Sequence, residues 1–251
     1  MKIKATINSK EESCAVPSNY RQNIASLIKE AIKTSEPSLY EKYWGNNSPI
    51  EKPFTFSLKI FDPKYFNENK KSFIESLSGR MELLVSSNNP AFAIACYNGL
   101  ISVANRYNPF SFKTSISNFY LCPEVEFNYD ESIFKTISPF VVRNMEERDD
   151  DNKKGKEYLT FKDKNFVENL FASISHLCKE FLPHKVLFSF EDFVFTPIDR
   201  VEVGIYHYGH VIKATSGTFK LKADREILKL IYDVGLGARR SQGFGMLEVV
   251  G

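Results

Sequence analysis

Little in this chain points to a metal, a membrane or a disulfide framework. Its four cysteines, Cys14, Cys96, Cys122 and Cys178, lie far apart, and none forms a Cys-x-x-Cys pair. That spacing excludes a zinc ribbon or thioredoxin-like motif and reads as buried, reduced thiols. No apolar run approaches the roughly 20 residues that span a bilayer. Met1 leads directly into a Lys/Ile alternation with no apolar signal segment, so the expectation is a cytoplasmic chain without membrane contact. Charge of one sign is also scarce. With 33 basic and 31 acidic residues the net charge is +2, and any affinity for nucleic acid has to come from a local patch. No Gly-Lys-Ser/Thr opens a helix, no dinucleotide fingerprint follows a strand, and no acidic motif is set to hold Mg²⁺. These absences argue against a small-molecule nucleotide enzyme.

What is present is concentrated at the end of the chain. Four of the twelve glycines fall in one loop near the end of the chain, as the pairs Gly235/Gly237 and Gly243/Gly245 around Arg239, Arg240, Ser241 and Gln242. Glycine permits positive φ and close approach of another backbone. Two such pairs flanking two guanidinium groups predict a concave backbone surface offering N–H donors and positive charge to an anion such as a phosphate backbone. From Lys213 to Arg240 seven basic residues face three acidic ones, a local surplus of four that includes Lys220 and Lys222. Each phosphate neutralised adds roughly 0.7 to 0.9 to the log-log salt slope. The simpler alternative is a helix and hairpin carrying solvated lysines.

Hydrophobic periodicity gives the scaffold. Ile3, Ala5 and Ile7 alternate as a first strand; Ile24, Leu27, Ile28, Ala31 and Ile32 mark a helix from about Tyr20 to Lys33, ending near Pro37. Strands follow at Phe54–Ile60 and Arg80–Val85, then a helix opened by Asn89-Pro90, then a strand over Ser111–Leu121. Strand, helix, strand, strand, helix, strand is the ferredoxin-like order. The pattern repeats: a strand Phe134–Val142, a charged loop from Glu146 to Lys154, its partner strand Tyr158–Phe161, and a helix capped by Asp163. Strands at Val186–Phe195, Val201–Ala214 and Thr218–Leu221, a helix Ala223–Val234 and a strand Met246–Val250 complete it. The fold class expected is α+β, two tandem ferredoxin-like (βαββαβ, RRM-like) domains. Residues 1–126 form the first, and residues 127–251 the second, which carries the glycine-rich loop.

Gly235-Leu-Gly237, five residues, then Gly243-Phe-Gly245 resembles the C-terminal signature of the CRISPR-associated endoribonucleases that cut repeat RNA, members of the repeat-associated mysterious protein (RAMP) superfamily. Val16-Pro17-Ser-Asn19-Tyr20, Phe54-Thr55-Phe56-Ser57 and Thr136-Ile137-Ser138-Pro139 extend the resemblance to both ends and the middle. It implies repeat RNA and the mature guide RNA as partners. It leaves open a CRISPR interference complex and a homodimer. The implied chemistry uses no metal and no cofactor: the RNA 2′-hydroxyl attacks the adjacent phosphate, leaving a cyclic phosphate and a 5′-hydroxyl. Well-studied members use a His after the first helix, a helix Tyr and a Lys just before the Phe-Thr-Phe-Ser-like strand. Here Trp44 stands near the histidine's place, Lys29 near the tyrosine's, and only Lys52 matches. Relatives without the histidine cut RNA with lysine and tyrosine, which makes Lys52, Lys29, Tyr40 and Tyr43 the candidate catalytic set. In that set lysine holds the phosphate and tyrosine orients or deprotonates the 2′-hydroxyl, although tyrosine's ordinary pKa of about 10 makes it a weak base unaided. The alternatives are a surface lysine, a packed tyrosine, and a relative that binds repeat RNA without cutting it. The histidines, His176, His184, His207 and His210, lie elsewhere; the last two, three residues apart, have no evident third metal ligand.

Overall fold

The computed structural model describes residues 1–45, 50–68, 71–145, 157–185 and 189–250. They divide into two compact units. One comprises Met1–Glu124 with Tyr206–Gly209 and Ser241–Gly243; the other comprises Val125–Ile205, His210–Arg240 and Phe244–Gly251. Each has its own aromatic-rich core.

In the first unit the chain runs β1 (Lys2–Ser9), β2 (Cys14–Pro17), α1 (Arg21–Ser35), α2 (Pro37–Trp44), β3 (Phe54–Ile60), β4 (Pro63–Glu68), β5 (Lys71–Ser76), β6 (Arg80–Ser87), α3 (Pro90–Val103) and β7 (Thr114–Cys122). The main sheet has the order β3-β6-β1-β7, antiparallel throughout. That is the ferredoxin-like arrangement, with α1 and α3 as its two crossover helices. The period-2 apolar set Ile3, Ala5, Ile7 meets the helical stripe Ile24, Leu27, Ile28, Ala31 and Ile32 in one core. Asn89 caps α3 by accepting the Phe92 N–H at 3.0 Å, with Pro90 at the first turn. The helices approach closely where Gly99 faces Ala31; a β-carbon on Gly99 would lie 2.1 Å from the Ala31 carbonyl oxygen.

Two elements of this unit were not legible in the sequence. The hairpin β4–β5 joins β2 in a separate three-stranded sheet of order β2-β5-β4. The chain also does not simply end its helix at Pro37. Proline stops α1 because it cannot donate to the preceding turn, and it then occupies the first turn of α2, where a missing N–H costs nothing.

The second unit repeats the plan with β8 (Glu131–Thr136), β9 (Val142–Arg143), β10 (Tyr158–Leu159), α4 (Phe166–Phe181), β11 (Val194–His207), β12 (His210–Lys222), α5 (Arg225–Val234) and β13 (Leu247–Val249). Its sheet order, β11-β12-β8-β13, is that of the first unit, so the tandem ferredoxin-like fold is present. Tyr208 and Gly209 both take positive φ between β11 and β12, the conformation of a tight hairpin turn.

Three local expectations need correction. The strand predicted over Phe134–Val142 breaks after Thr136, because Ile137 and Ser138 both donate to the Met246 carbonyl and Pro139 has no N–H. Asp163 is not the helix cap: its carboxylate accepts the Thr160 N–H at 2.8 Å, and α4 begins at Phe166. Within Val186–Phe195, Phe190–Asp192 is a 3-10 turn and β11 starts at Val194. The charged tract Glu146–Lys154 and Val186 lie outside the described residues.

Candidate active site and glycine-rich loop

The four residues expected to carry chemistry all fall in the first unit, and three of them gather. Tyr40 and Trp44, one turn apart on α2, stack with ring centroids 6.1 Å apart at 19°. The ammonium of Lys29, from α1, lies 5.6 Å from the Tyr40 ring centre, and that of Lys33 lies 5.8 Å from the same ring. Lys52, just before β3, places its ammonium 5.6 Å from the Trp44 ring. Trp44 is in turn braced by Phe54 and Phe92, at 6.1 and 6.2 Å. An aromatic ladder thus runs from the core to the surface, with lysines on its outer rings. Asn46 and Asn47 of the same segment lie outside the described residues.

The electrostatics match an anion site. Neither Lys29 nor Lys52 forms an ion pair among the described residues. Burial lowers the Lys52 pKa from the ordinary lysine value; Glu51 opposes this and the nearby Lys29 cation adds to it. Lys29 and Lys33 are like charges four apart on one helix, a pairing that weakens an isolated helix by a few tenths of a kcal/mol. A phosphate would relieve it. Lys33 was missed in the sequence although its i, i+4 relation to Lys29 signals a shared face.

Tyr43 does not join this set. It is 3% exposed and packs edge-on against Phe92 and Trp44. The structure gives the Tyr43 ring a packing role in the core, with the Lys42 ammonium 5.3 Å from its centre.

The glycine-rich loop is expected to offer backbone N–H donors to an anion; several of its N–H groups are taken up by acceptors of the second unit. Ala238 N–H donates to the Val141 carbonyl at 2.7 Å, Leu236 N–H to the Gly245 carbonyl at 2.9 Å, and Gly245 N–H to the Pro139 carbonyl at 2.9 Å. Met246 N–H donates to the Ser138 hydroxyl at 3.0 Å, and Gly217 N–H to the Thr136 hydroxyl at 3.0 Å. Ser138 and Pro139 therefore anchor the end of the loop, while Thr136 bonds to β12 at Gly217. Gly235, Gly237, Gly243 and Gly245 all take positive φ and all are buried. A β-carbon on Gly237 would sit 2.3 Å from the Val141 oxygen, and one on Gly243 would sit 2.7 Å from the Phe56 ring. Arg21 donates from Nε to the Gly243 carbonyl at 3.1 Å, another contact the sequence did not reveal.

The two loop arginines part company. Arg240 is 4% exposed; its Nη1 donates to the Val234 carbonyl at 3.0 Å and its guanidinium lies over Phe181. An RNA contact is expected there from the sequence; in the structure the guanidinium is engaged within the chain. Arg239 is half-buried, with Nε donating to the Tyr158 hydroxyl at 2.7 Å and Nη2 3.9 Å from Glu157. Ser241 is half-buried in the adjoining 3-10 turn. Lys220 and Lys222 pair with Glu131 and Asp130 at 3.3 and 3.9 Å, and Lys229 pairs with Asp233. The basic surplus of residues 213–240 is thus met by carboxylates from outside that segment, Asp130, Glu131, Glu157 and Glu202. Exposed pairs of this kind are worth about 0 to 1 kcal/mol, which leaves Lys220 and Lys222 able to exchange their partners for phosphate.

His207 is buried, and its Nε2 donates to the Gln242 amide oxygen at 2.9 Å. His184 pairs with Glu226. Among the described residues no group of three or more His, Cys, Asp or Glu is placed to hold a metal. Nor is any described helix long and apolar enough to cross a membrane.

Two ferredoxin-like units joined in one chain, with a glycine-rich loop before the last strand, define a RAMP-type protein. Residues 122–249 match the family described as CRISPR associated protein Cas6, C-terminal, and the chain belongs to that family of CRISPR-associated endoribonucleases. It is 29% identical to CRISPR-associated endoribonuclease Cas6 1 of Methanocaldococcus jannaschii over 92% of this chain and 86% of that one. It is 28% identical to CRISPR-associated endoribonuclease Cas6 of Pyrococcus furiosus, over 99% and 89% respectively. It is also 26% identical, over the full length of both chains, to a Pyrococcus horikoshii protein called putative CRISPR-associated endoribonuclease-like protein Cas6nc. Among solved structures, one titled "An RAMP protein binding different RNA substrates" superposes with a TM-score of 0.82 at 22% identity over the whole of both chains. A second, titled "CRISPR associated protein Cas6", gives 0.78 at 24% identity over 100% of this chain and 99% of that one.

Proposed function

We propose that this protein binds CRISPR repeat RNA and cleaves it without a metal, by attack of a 2′-hydroxyl on the adjacent phosphate. The products are a cyclic phosphate and a 5′-hydroxyl, and the precursor transcript is cut into guide RNAs. The observation that carries this reading is the lysine group on the Tyr40–Trp44 stack, which offers positive charge without a carboxylate ion pair among the described residues. In the pentavalent phosphorane an extra negative charge develops on the non-bridging oxygens, and a fixed cation there lowers the barrier more than it stabilises the substrate. Lys52 is the residue assigned to that charge, with Lys29 beside it. Tyr40 is assigned to orient the 2′-hydroxyl. Arg239, Lys220 and Lys222 are assigned to the flanking RNA backbone.

Labelled repeat RNA incubated with the protein in EDTA tests this directly. The expected result is cleavage with a 2′,3′-cyclic phosphate on the upstream fragment. A gel shift without cleavage would favour a second reading, a relative that binds repeat RNA and leaves it intact. That reading is supported by Trp44 standing where a histidine is used elsewhere, and the Pyrococcus horikoshii relative carries an endoribonuclease-like name.

The pH dependence has a defined sign. Lys52 must be protonated to stabilise the phosphorane, and its pKa is lowered by burial and by Lys29. The single-turnover rate should therefore fall on the alkaline side below the ordinary lysine range. In Lys29→Ala the neighbouring cation is gone, the Lys52 pKa rises, and the falling limb moves to higher pH. A limb that stays in place removes the coupling between the two lysines.

A further inference from the structure

We infer that Trp44 is a positioning residue that acts through Lys52. The inference rests on the cleavage reading above and deepens it, since that reading assigns the tryptophan no part of its own in the reaction. Lys52 Nζ lies over the Trp44 ring at 5.6 Å, within the range of a cation–π contact. The indole cannot move freely, because Tyr40, Phe54 and Phe92 surround it at 6.1, 6.1 and 6.2 Å. Phe54 and Phe92 are fully buried and stack on each other at 4.8 Å. The ring is therefore held by the core and presents one face to the ammonium.

The chemistry favours a ring over a carboxylate as the holder of this lysine. A carboxylate would neutralise the ammonium and compete with the phosphate for it. An aromatic face attracts the cation through its quadrupole and leaves the full charge available to a third partner. It also restrains a side chain with four rotatable bonds, and misplacement by about 1 Å costs roughly 100-fold in rate. Lys52 is also partly desolvated by burial. Desolvation strengthens the interaction of the ammonium with a phosphorane. Tyr40 plays the same part for Lys29, at the same 5.6 Å. The stack thus carries three cations, Lys29 and Lys33 on the Tyr40 ring and Lys52 on the Trp44 ring.

A double-mutant cycle on single-turnover cleavage of repeat RNA, with enzyme in excess, tests the inference. In the otherwise unchanged chain, Trp44→Leu is expected to slow cleavage roughly 3- to 30-fold, the range of a cation–π contact. Trp44→Phe keeps a ring on the same core contacts and is expected to lose less. In a Lys52→Ala chain, Trp44→Leu is expected to cause no further loss, because the residue it positions is absent. If the two losses multiply, Trp44 acts independently of Lys52 and the inference is overturned, while the assignment of Lys52 stands. Equal losses for Trp44→Phe and Trp44→Leu would also overturn it, since packing volume rather than the ring face would then be at issue. Should Lys52→Ala alone leave the rate unaltered, the assignment of Lys52 and this inference fall together.

Discussion

Replacing Lys52 by alanine is expected to slow single-turnover cleavage by about 10²- to 10³-fold, the usual cost of removing one group aimed at transition-state charge. The dissociation constant for the RNA should change only a few-fold. The split follows from geometry. Ground-state phosphates can be held by Lys29, Lys33, Arg239, Lys220 and Lys222, which are spread along the chain, so the loss of one cation is diluted in binding. The phosphorane exists at one point, and Lys52 is the lysine that is both half-buried and without an ion pair among the described residues. Rates from single-turnover kinetics and affinities from gel shift on the same variant decide the matter. An unaltered rate would take Lys52 out of the site, and a parallel loss in affinity would make it a binding residue only.

Gly245→Ala is expected to produce the largest stability loss among the loop glycines. Its φ of +76° is left-handed, and an added β-carbon would lie 2.0 Å from the Leu236 carbonyl oxygen. Backbone is there and cannot swing aside. Relief requires breaking the Leu236–Gly245 and Gly245–Pro139 hydrogen bonds. Left-handed strain of 1 to 3 kcal/mol, together with disrupted buried hydrogen bonds of about 1 kcal/mol each or more, puts the loss at about 3 kcal/mol or above. For a chain of this size that corresponds to a fall in Tm of roughly 6 to 12 °C. Gly209→Ala is the control. Its φ is also left-handed, +83°, but nothing lies within 4 Å of an added β-carbon, so only the strain should appear. Thermal unfolding of the two variants separates strain from collision; equal shifts would refute the close-approach account of the loop.

Much of the fold was legible because its signals are local. The alternation of Ile3, Ala5 and Ile7, the stripe from Ile24 to Ile32 and the Asn89-Pro90 helix start are properties of short segments, and each formed the element expected. The β4–β5 hairpin was not legible because its residues are largely exposed and alternate weakly. Its strand character comes from pairing with β2 across a sheet that sequence periodicity does not encode. The break after Thr136 was hidden for a similar reason: the partner that pulls Ile137 and Ser138 out of line is Met246, far along the chain.

The candidate site divides in the same way. The family resemblance singled out Lys29, Tyr40, Tyr43 and Lys52, but not that Tyr40 would share its ring with Lys33 or that Trp44 would seat Lys52. Tyr40 and Tyr43 look alike as neighbours in one short segment. Three residues along a helix is enough to turn one toward solvent-accessible lysines and the other into the core.

By itself the sequence determined the element order, the duplicated ferredoxin-like plan and the need for glycine at four positions near the end of the chain, because periodicity and backbone freedom are carried by residues close together. Only the tertiary structure decided what those glycines are for. The carbonyls of Val141 and Leu236 close in on Gly237 and Gly245, and Arg240 turns inward to Val234. Contacts between distant segments settle which donors are already satisfied and which charges remain for a ligand, and composition and spacing carry no information about that pairing.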